Sequence, residues 1–369
     1  MPLANNPQNR DMTPGVEPSE PAVLVQSHPH LLTAVLNRPR VLNTLNLEMT
    51  RLLNEALERL RQEERLQFLL LRGAGEHFCA GGDLKMLARA VSSGSPSLAL
   101  KFFQEEYALD LAIHQVPKPV VALAPGVTMG GGLGLAAGAC LVLATETTRM
   151  AMPETRIGFF PDVGATGWLF LKCPPGYPEF LGLTGYEMAG PECVRLGLAT
   201  HLTDSARLPE IIRALENFPE SLPPGKEAGQ QALRARLKPF FLPAPAPNPE
   251  MDAWVAEHFA GKGSLKEILG SLSQCRLDTP WCAGVYQRLS ERSPTALALT
   301  LKLLRENEGR PLKEVFARET EAGRWMIRHP DYLEGIRARL LDKDDKPRWQ
   351  PARIEEILEE EIGGRARDH

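Results

Sequence analysis

The chain has 369 residues, 43% hydrophobic and 24% charged, with a formal net charge of −4 at pH 7. Its length allows one large domain or two ordinary ones with a sizeable core. With 42 lysines and arginines against 46 acids, it lacks the basic excess of a nucleic-acid binder, and no apolar run approaches a membrane span.

The segment 1–21 is rich in proline and asparagine and carries Asp11, Glu17 and Glu20. It has neither the apolar stretch of a secretory signal nor the acid-poor, arginine-rich character of a mitochondrial presequence. It is expected to be a disordered tail on a cytoplasmic protein. Six cysteines, none in a CxxC pair, are expected as buried thiols rather than disulfides. The histidines show no zinc spacing.

Folded sequence starts near Val23. Segments 22–26 and 31–36 read as strands broken by Ser27-His28-Pro29-His30, and Asn37-Arg38-Pro39-Arg40 turns the chain. Over 47–64, Leu53, Ala56, Leu57 and Leu60 keep helical spacing. The run 68–71, closed by Arg72-Gly73, reads as a strand buried on both faces. Phe78-Cys79-Ala80-Gly81-Gly82-Asp83-Leu84 follows; its glycines let backbone N–H groups approach a ligand, and Asp83 can cap the next helix. A polar loop at 92–97 precedes a helix at 98–113, and a strand at 118–124 ends at Pro125-Gly126.

Met129-Gly130-Gly131-Gly132-Leu133-Gly134 opens an apolar helix. Glycine costs roughly 1 kcal/mol per helical position relative to alanine. Close helix packing would compensate; so would use of the helix N-terminus to stabilise an oxyanion. The stretch 132–137 also fits a GxGxxA dinucleotide fingerprint, but is set aside because its glycines do not directly follow the strand that ends before Pro125. A further strand covers 141–144. The alternation predicts an α/β fold of stacked right-handed turns over 22–238. From Pro178 the reading is helical. A proline-dense linker at 239–249 then leads into a C-terminal helical region, 250–369.

Glu154 and Asp162 stand eight residues apart among apolar and glycine residues. Carboxylates there are costly to bury unless hydrogen-bonded or functional, and two of them can divide the work of nucleophile or base and proton donor. Glu105-Glu106 by itself reads as a solvated helix face. There is no GxSxG elbow for a serine esterase.

In this order, Asn-Arg-Pro at 37–39, Phe-Cys-Ala-Gly-Gly-Asp at 78–83, Gly-Gly-Gly at 130–132 and Pro-Glu at 153–154 resemble the crotonase (enoyl-CoA hydratase/isomerase) superfamily. The resemblance implies a spiral of ββα turns. It also implies a thioester oxygen held by two backbone N–H groups, carried over to Gly82 and Gly131. Gly134 stands where a typical hydratase has its second glutamate, and Asp162 where it has glycine.

Phe-Phe-Gln-Glu-Glu-Tyr at 102–107, Phe-Pro-Asp-Val-Gly at 160–164, Ser-Pro-Thr-Ala-Leu at 293–297 and Leu-Asp-Lys-Asp at 341–344 are similar to a hydrolytic branch of that family. That branch acts on short 3-hydroxyacyl-CoA thioesters, and the expected substrate is the 3-hydroxyisobutyryl ester of valine breakdown. The resemblance runs from about Val23 to Pro351 and is poor over 219–250. After Asp162 it departs, with Val-Gly-Ala-Thr-Gly-Trp-Leu where the branch more often has Gly-Gly-Gly-Tyr.

By this resemblance Glu154 is the nucleophile or the general base, Asp162 orients the substrate hydroxyl or water and shuttles a proton, and Glu106 lines the pocket at the acyl end. Glu106, Gly131, Glu154 and Asp162 form the expected substrate-binding set. No metal or redox cofactor is implied, since coenzyme A arrives with the substrate. Arg38 or Arg40 could meet its phosphates, although a turn arginine is ordinarily just solvated. No nucleic-acid or membrane partner is expected, and a homo-oligomer is left open. Hydration or isomerisation of an enoyl-CoA is the alternative within the fold. A non-catalytic acyl-CoA binder would be expected to lack Glu154 or Asp162.

Overall fold

The computed structural model describes residues 20–218, 221–275, 280–357 and 362. The expected tail lies outside them except for its last two residues. β1 (Val23–Ser27) pairs antiparallel with β2 (Leu31–Leu36). The helix α1 (Leu47–Gln62) then carries the chain to β3 (Phe68–Gly73), parallel to β2. Asn46 caps α1 by accepting from the Met49 N–H, and Met49, Leu53, Ala56, Leu57 and Leu60 make its buried stripe.

Two helices, α2 (Leu84–Ser92) and α3 (Pro96–Gln115), precede β4 (Val120–Ala124), which is parallel to β3. Next come β5 (Val127–Met129), α4 (Gly131–Ala137), β6 (Leu141–Thr145) and β7 (Arg149–Ala151). Helices α5 (Ala165–Lys172) and α6 (Tyr177–Thr184), strand β8 (Met188–Ala189), helix α7 (Gly190–Arg195) and strand β9 (His201–Thr203) complete the spiral.

The main sheet has the order β1-β2-β3-β4-β6-β9, and a smaller sheet has the order β5-β7-β8. β2, β4 and β6 are buried throughout, as parallel strands covered on both faces must be. The stacked β/α turns are thus those the sequence predicts. The helical reading from Pro178 is corrected at β8 and β9, and the latter forms the edge of the main sheet by pairing with β6.

Helices α8 (Leu208–Glu216) and α9 (Lys226–Leu237) cover the lower face of the sheet, packing Ile211, Leu215, Leu233 and Leu237 on Phe68, Leu70 and Leu143. A 3-10 turn at Lys238–Phe240 and irregular backbone lead to α10 (Pro249–Phe259), with proline in its first turn and Asn248 as cap. Then come α11 (Leu265–Gln274), α12 (Pro280–Ser290), α13 (Pro294–Asn307), α14 (Leu312–Met326) and α15 (Pro330–Ile336). These helices share one apolar core with the spiral: Phe259, Leu297, Phe316 and Ile336 belong to the same cluster as Leu36, Leu71, Val142 and Trp168.

Cys275, which follows α11, and Cys282, in α12, are joined by a disulfide, with Cα atoms 6.2 Å apart. This corrects the expectation of six thiols, because the two Cα atoms stand within bridging distance. Cys79, Cys140, Cys173 and Cys193 are free. Among the described residues no helix is long and apolar enough to cross a membrane.

Candidate active site

The two glycine segments run side by side. Cys79 and Thr128 form a parallel bridge, with the Cys79 N–H donating to the Val127 carbonyl and the Met129 N–H to the Cys79 carbonyl. Two residues further on, Gly81 (φ +95°) and Gly130 (φ +51°) take left-handed backbone that favours glycine. The segments pass so closely that a Cβ on Gly81 would stand 3.0 Å from the Met129 carbonyl and 3.4 Å from the Gly131 nitrogen. Gly131 is the first residue of α4, so its N–H has no partner within the helix. Gly82 and Gly131 thus put two backbone donors at one end of a single cavity of about 780 Å³, which both residues line.

The glycine tract of α4 serves close packing as well. A Cβ on Gly132 would stand 2.2 Å from the Cys79 carbonyl, and one on Gly134 would stand 2.7 Å from the Val163 Cβ and 3.1 Å from Asp110 Oδ2. The hydratase glutamate absent at Gly134 has no room here. The ground for setting aside the dinucleotide fingerprint also needs correction: β5 ends at Met129, immediately before the glycines. Packing against Cys79, Val163 and Asp110 is what these glycines are used for.

Carboxyls crowd the same end of the cavity. Glu154 opens a 3-10 turn after β7, and its Oε1 lies 2.8 Å from where a Gly130 Cβ would be. Glu106, on α3, puts Oε1 2.1 Å from where a Gly131 Cβ would be. Asp162 accepts a 2.7 Å hydrogen bond from the Tyr107 hydroxyl. Glu106, Glu154 and Asp162 are all buried and line the cavity. Glu106 Oε1 and Glu154 Oε2 have no protein partner.

Burial, with the neighbouring Asp162 charge, holds the carboxyls of Glu154 and Glu106 well above the usual range. Burial lifts Asp162 to about 7, and the Tyr107 hydrogen bond limits its rise. Aromatic rings close this end: Phe103 stacks on Phe159 at 5.3 Å, and Tyr332 tilts against Phe159 at 5.6 Å.

All five sequence-predicted site residues, Gly82, Glu106, Gly131, Glu154 and Asp162, meet here. Glu106 overturns its isolated reading as a solvated face. Only Glu105 has that character, paired with Arg51. Arg38, by contrast, is bonded to the Thr44 carbonyl and to Asp83, the α2 cap, and does not line the cavity.

Two carboxyls buried beside this cluster escaped the sequence reading. Asp110 lies one turn beyond Glu106, with both oxygens unpartnered. Its signal was an acid at an apolar position of the α3 stripe. Glu319, on α14, accepts from the N–H groups of Gly164 and Thr166 and from the Thr166 hydroxyl, and nothing local in the sequence marks it. These bonds brace Val163, whose φ of +52° is rare for a β-branched residue, beside Asp162.

Among the described residues, His258, Cys275 and Cys282 are the group whose donor atoms converge as a metal site would require. The two sulfurs are bonded to each other, and none of the three lines the cavity.

Comparison with known proteins agrees with this geometry. The family described as enoyl-CoA hydratase/isomerase matches residues 31–364. The chain is 35% identical to the "3-hydroxyisobutyryl-CoA hydrolase, mitochondrial" of Gallus gallus, over 92% of this chain and 86% of that one. It is 36% identical to the human protein of the same name, over 89% and 83%.

Two solved structures superpose with a TM-score of 0.82. One is a carnitinyl-CoA dehydratase from Mycobacterium thermoresistibile, at 30% identity over 92% of this chain and 95% of that one. The other is an enoyl-CoA hydratase from Rhodobacter sphaeroides 2.4.1, at 32% identity over 92% and 96%. The relatives' names place them in mitochondria, which overturns the cytoplasmic expectation. That expectation rested on the composition of twenty residues, and nothing in a folded core encodes its compartment. The chain belongs to the enoyl-CoA hydratase/isomerase family, and within it to the 3-hydroxyisobutyryl-CoA hydrolases.

Proposed function

We propose that this chain hydrolyses the thioester of short 3-hydroxyacyl-CoA molecules, 3-hydroxyisobutyryl-CoA above all, to the free hydroxy acid and CoA. The observation that carries the reading is the meeting of the Gly82 and Gly131 donors with Glu154 and Asp162 in one cavity. The names of the relatives support the same ester. Cys79, the thiol beside the glycines, is an unsuitable nucleophile: burial pushes it up to about 12.

The thioester carbonyl accepts from the Gly82 and Gly131 N–H groups, and the acyl end lies among Glu106, Asp162 and the aromatic wall. Glu154 and Asp162 share one proton. With that proton on Asp162, ionised Glu154 attacks the carbonyl carbon, and the two N–H groups take the developing oxyanion, where each such donor is worth about 10²–10³ in rate.

The C–S bond breaks, leaving an anhydride on Glu154, and Asp162 gives its proton to the departing sulfur. A water molecule then attacks the acyl carbon as Asp162 takes one of its protons. The hydroxy acid leaves, and Glu154 is again a carboxylate.

Substituting Glu154→Gln keeps the size of the side chain but removes the nucleophile. Turnover, read as free thiol from 3-hydroxyisobutyryl-CoA, is expected to fall by about 10⁴ or more, with binding of the CoA ester retained. Near-normal turnover in this variant would remove Glu154 from the reaction.

A further inference from the structure

Away from the cavity, three side chains of metal-ligating type meet from three parts of the chain. His258 is on α10, Cys275 follows α11, and Cys282 lies in the first turn of α12. One ligand atom from each lies within 4.8 Å of the others. His258 and Cys282 are buried, and Cys275 is half-buried, on the side nearer solvent.

A disulfide requires two cysteines and nothing more, yet this one has a built surround. Ser271 on α11 places its Oγ 2.7 Å from His258 Nδ1, which orients the imidazole. One turn before His258 on α10, buried Trp254 directs its indole N–H at both sulfurs, 3.1 Å from Cys282 Sγ and 3.5 Å from Cys275 Sγ. The indole ring also lies 5.1 Å from the imidazole. A hydroxyl that holds the histidine and an N–H donor aimed at sulfur are the outer partners that orient and tune the ligands of a metal.

We propose that His258, Cys275 and Cys282 form a zinc site when the disulfide is opened, with water in the fourth position. Two thiolates and an imidazole are a donor set for a borderline-soft divalent cation. Bonds of about 2.3 Å to sulfur and about 2.1 Å to nitrogen set tetrahedral donors about 3.6–3.8 Å apart, inside the 4.8 Å these atoms already keep.

A dithiol opens the bond by exchange. Its own two thiols become a disulfide, and their two protons and two electrons leave Cys275 and Cys282 as thiols. Zinc then displaces both protons and binds the two thiolates with the neutral imidazole. Metal and disulfide therefore exclude one another, and zinc adds α10 to the link that the disulfide makes. The helix so held, α12, presents Gln287, Arg288 and Glu291 to the cavity. The inference stands apart from the reaction that the cavity performs.

The test is metal uptake by the full chain, reduced with dithiothreitol and freed of it without air, against the same chain left oxidised. Zinc is titrated in competition with a chromophoric chelator, and cobalt(II) serves as the spectroscopic probe. The reduced chain is expected to bind a single equivalent of zinc. Its cobalt form is expected to show a thiolate-to-cobalt charge-transfer band and the intense visible bands of four-coordinate cobalt. The oxidised chain is expected to bind none.

The double variant Cys275→Ser/Cys282→Ser keeps Cys79, Cys140, Cys173 and Cys193 and so measures uptake by the other thiols. Zinc affinity is expected to fall on the order of 100-fold or more in His258→Gln. In Ser271→Ala, which leaves all three donors in place, a loss of about 10–100-fold is expected. Uptake by the reduced chain no greater than by the double variant would overturn the inference, as would wild-type affinity in His258→Gln. Should that variant fail to fold, the reduced and oxidised wild-type chains and Ser271→Ala decide the matter by the same readouts.

Discussion

Glu154 and Asp162 can act as proposed only when one proton is shared between them. Both carboxyls are raised by burial, Asp162 to about 7. Below about pH 7 the pair is doubly protonated and holds no nucleophile. Above it the first proton leaves and the active form appears. kcat is therefore expected to rise with pH through an inflection near 7 that belongs to the pair as a whole, measured by thiol release between pH 5.5 and 9. A flat or falling profile over that range would contradict the shared proton.

This pair was legible from the sequence, because two acids in an apolar, glycine-rich stretch have few bland explanations. Glu106 was not, since its neighbour Glu105 gives the dipeptide the look of a solvated face. Only the resemblance separated the two. Asp110 carried a readable signal that went unused, sitting at the buried stripe of α3 with Phe103, Glu106 and Tyr107.

Among the elements, α14 braces the loop that carries Asp162. Its Glu319 takes the Gly164 N–H at 2.6 Å and the Thr166 N–H at 3.1 Å, donors that the start of α5 would otherwise leave unpaired. Phe316 on the same helix packs against Gly164 and the Tyr107 ring. Removing Glu319 orphans two buried backbone donors at about 1–3 kcal/mol each and takes the acceptor from the Thr166 hydroxyl. Glu319→Ala is expected to lower the denaturation midpoint accordingly and to depress kcat more than CoA-ester binding. Glu319→Gln, which still offers one acceptor oxygen, should recover part of both. Equal stability in the alanine variant and the wild type would remove the bracing role.

Helical spacing and apolar runs located α1, β3, β4 and β6. The strands β5, β7, β8 and β9 are two or three residues long, too short for any alternation to show. Their pairing comes from the spiral and not from local preference.

For the molecule as a whole, the buried carboxyls set how stability depends on pH. Burial raises Glu106, Asp110 and Glu154, lifts Asp162 to about 7 and lifts Glu319 to about 8. The unfolded chain has released these protons above about pH 4.5. The folded chain keeps them, so the folded state binds more protons and stability falls as pH rises through the folded values.

Below about pH 6.5 the partly buried His114, which desolvation lowers to about 4, works the other way. The unfolding free energy is therefore expected to fall steadily from pH 6.5 to 9 in denaturant titrations. Asp110→Asn, which cannot lose a proton, should flatten that slope. A free energy that rises over this interval would mean that the cluster is charged in the folded state.

The spiral and the helical C-terminus were both legible in outline. That the C-terminal region completes the cavity with Arg288, Arg292, Tyr332 and Arg339 is a tertiary fact. Those residues lie more than a hundred positions from Glu154, and no local pattern links them.

The central claim is thioester hydrolysis by a carboxylate at a backbone oxyanion hole. Its most direct test is thiol titration of free CoA from (S)-3-hydroxyisobutyryl-CoA, with 3-hydroxypropionyl-CoA, acetyl-CoA and crotonyl-CoA alongside. Rapid release from the two 3-hydroxy esters, with little from acetyl-CoA and no loss of enoyl absorbance from crotonyl-CoA, is the expected result. No thiol from any ester, with crotonyl-CoA consumed by hydration, would contradict the account and return Asp162 and Gly134 to the service of a hydratase.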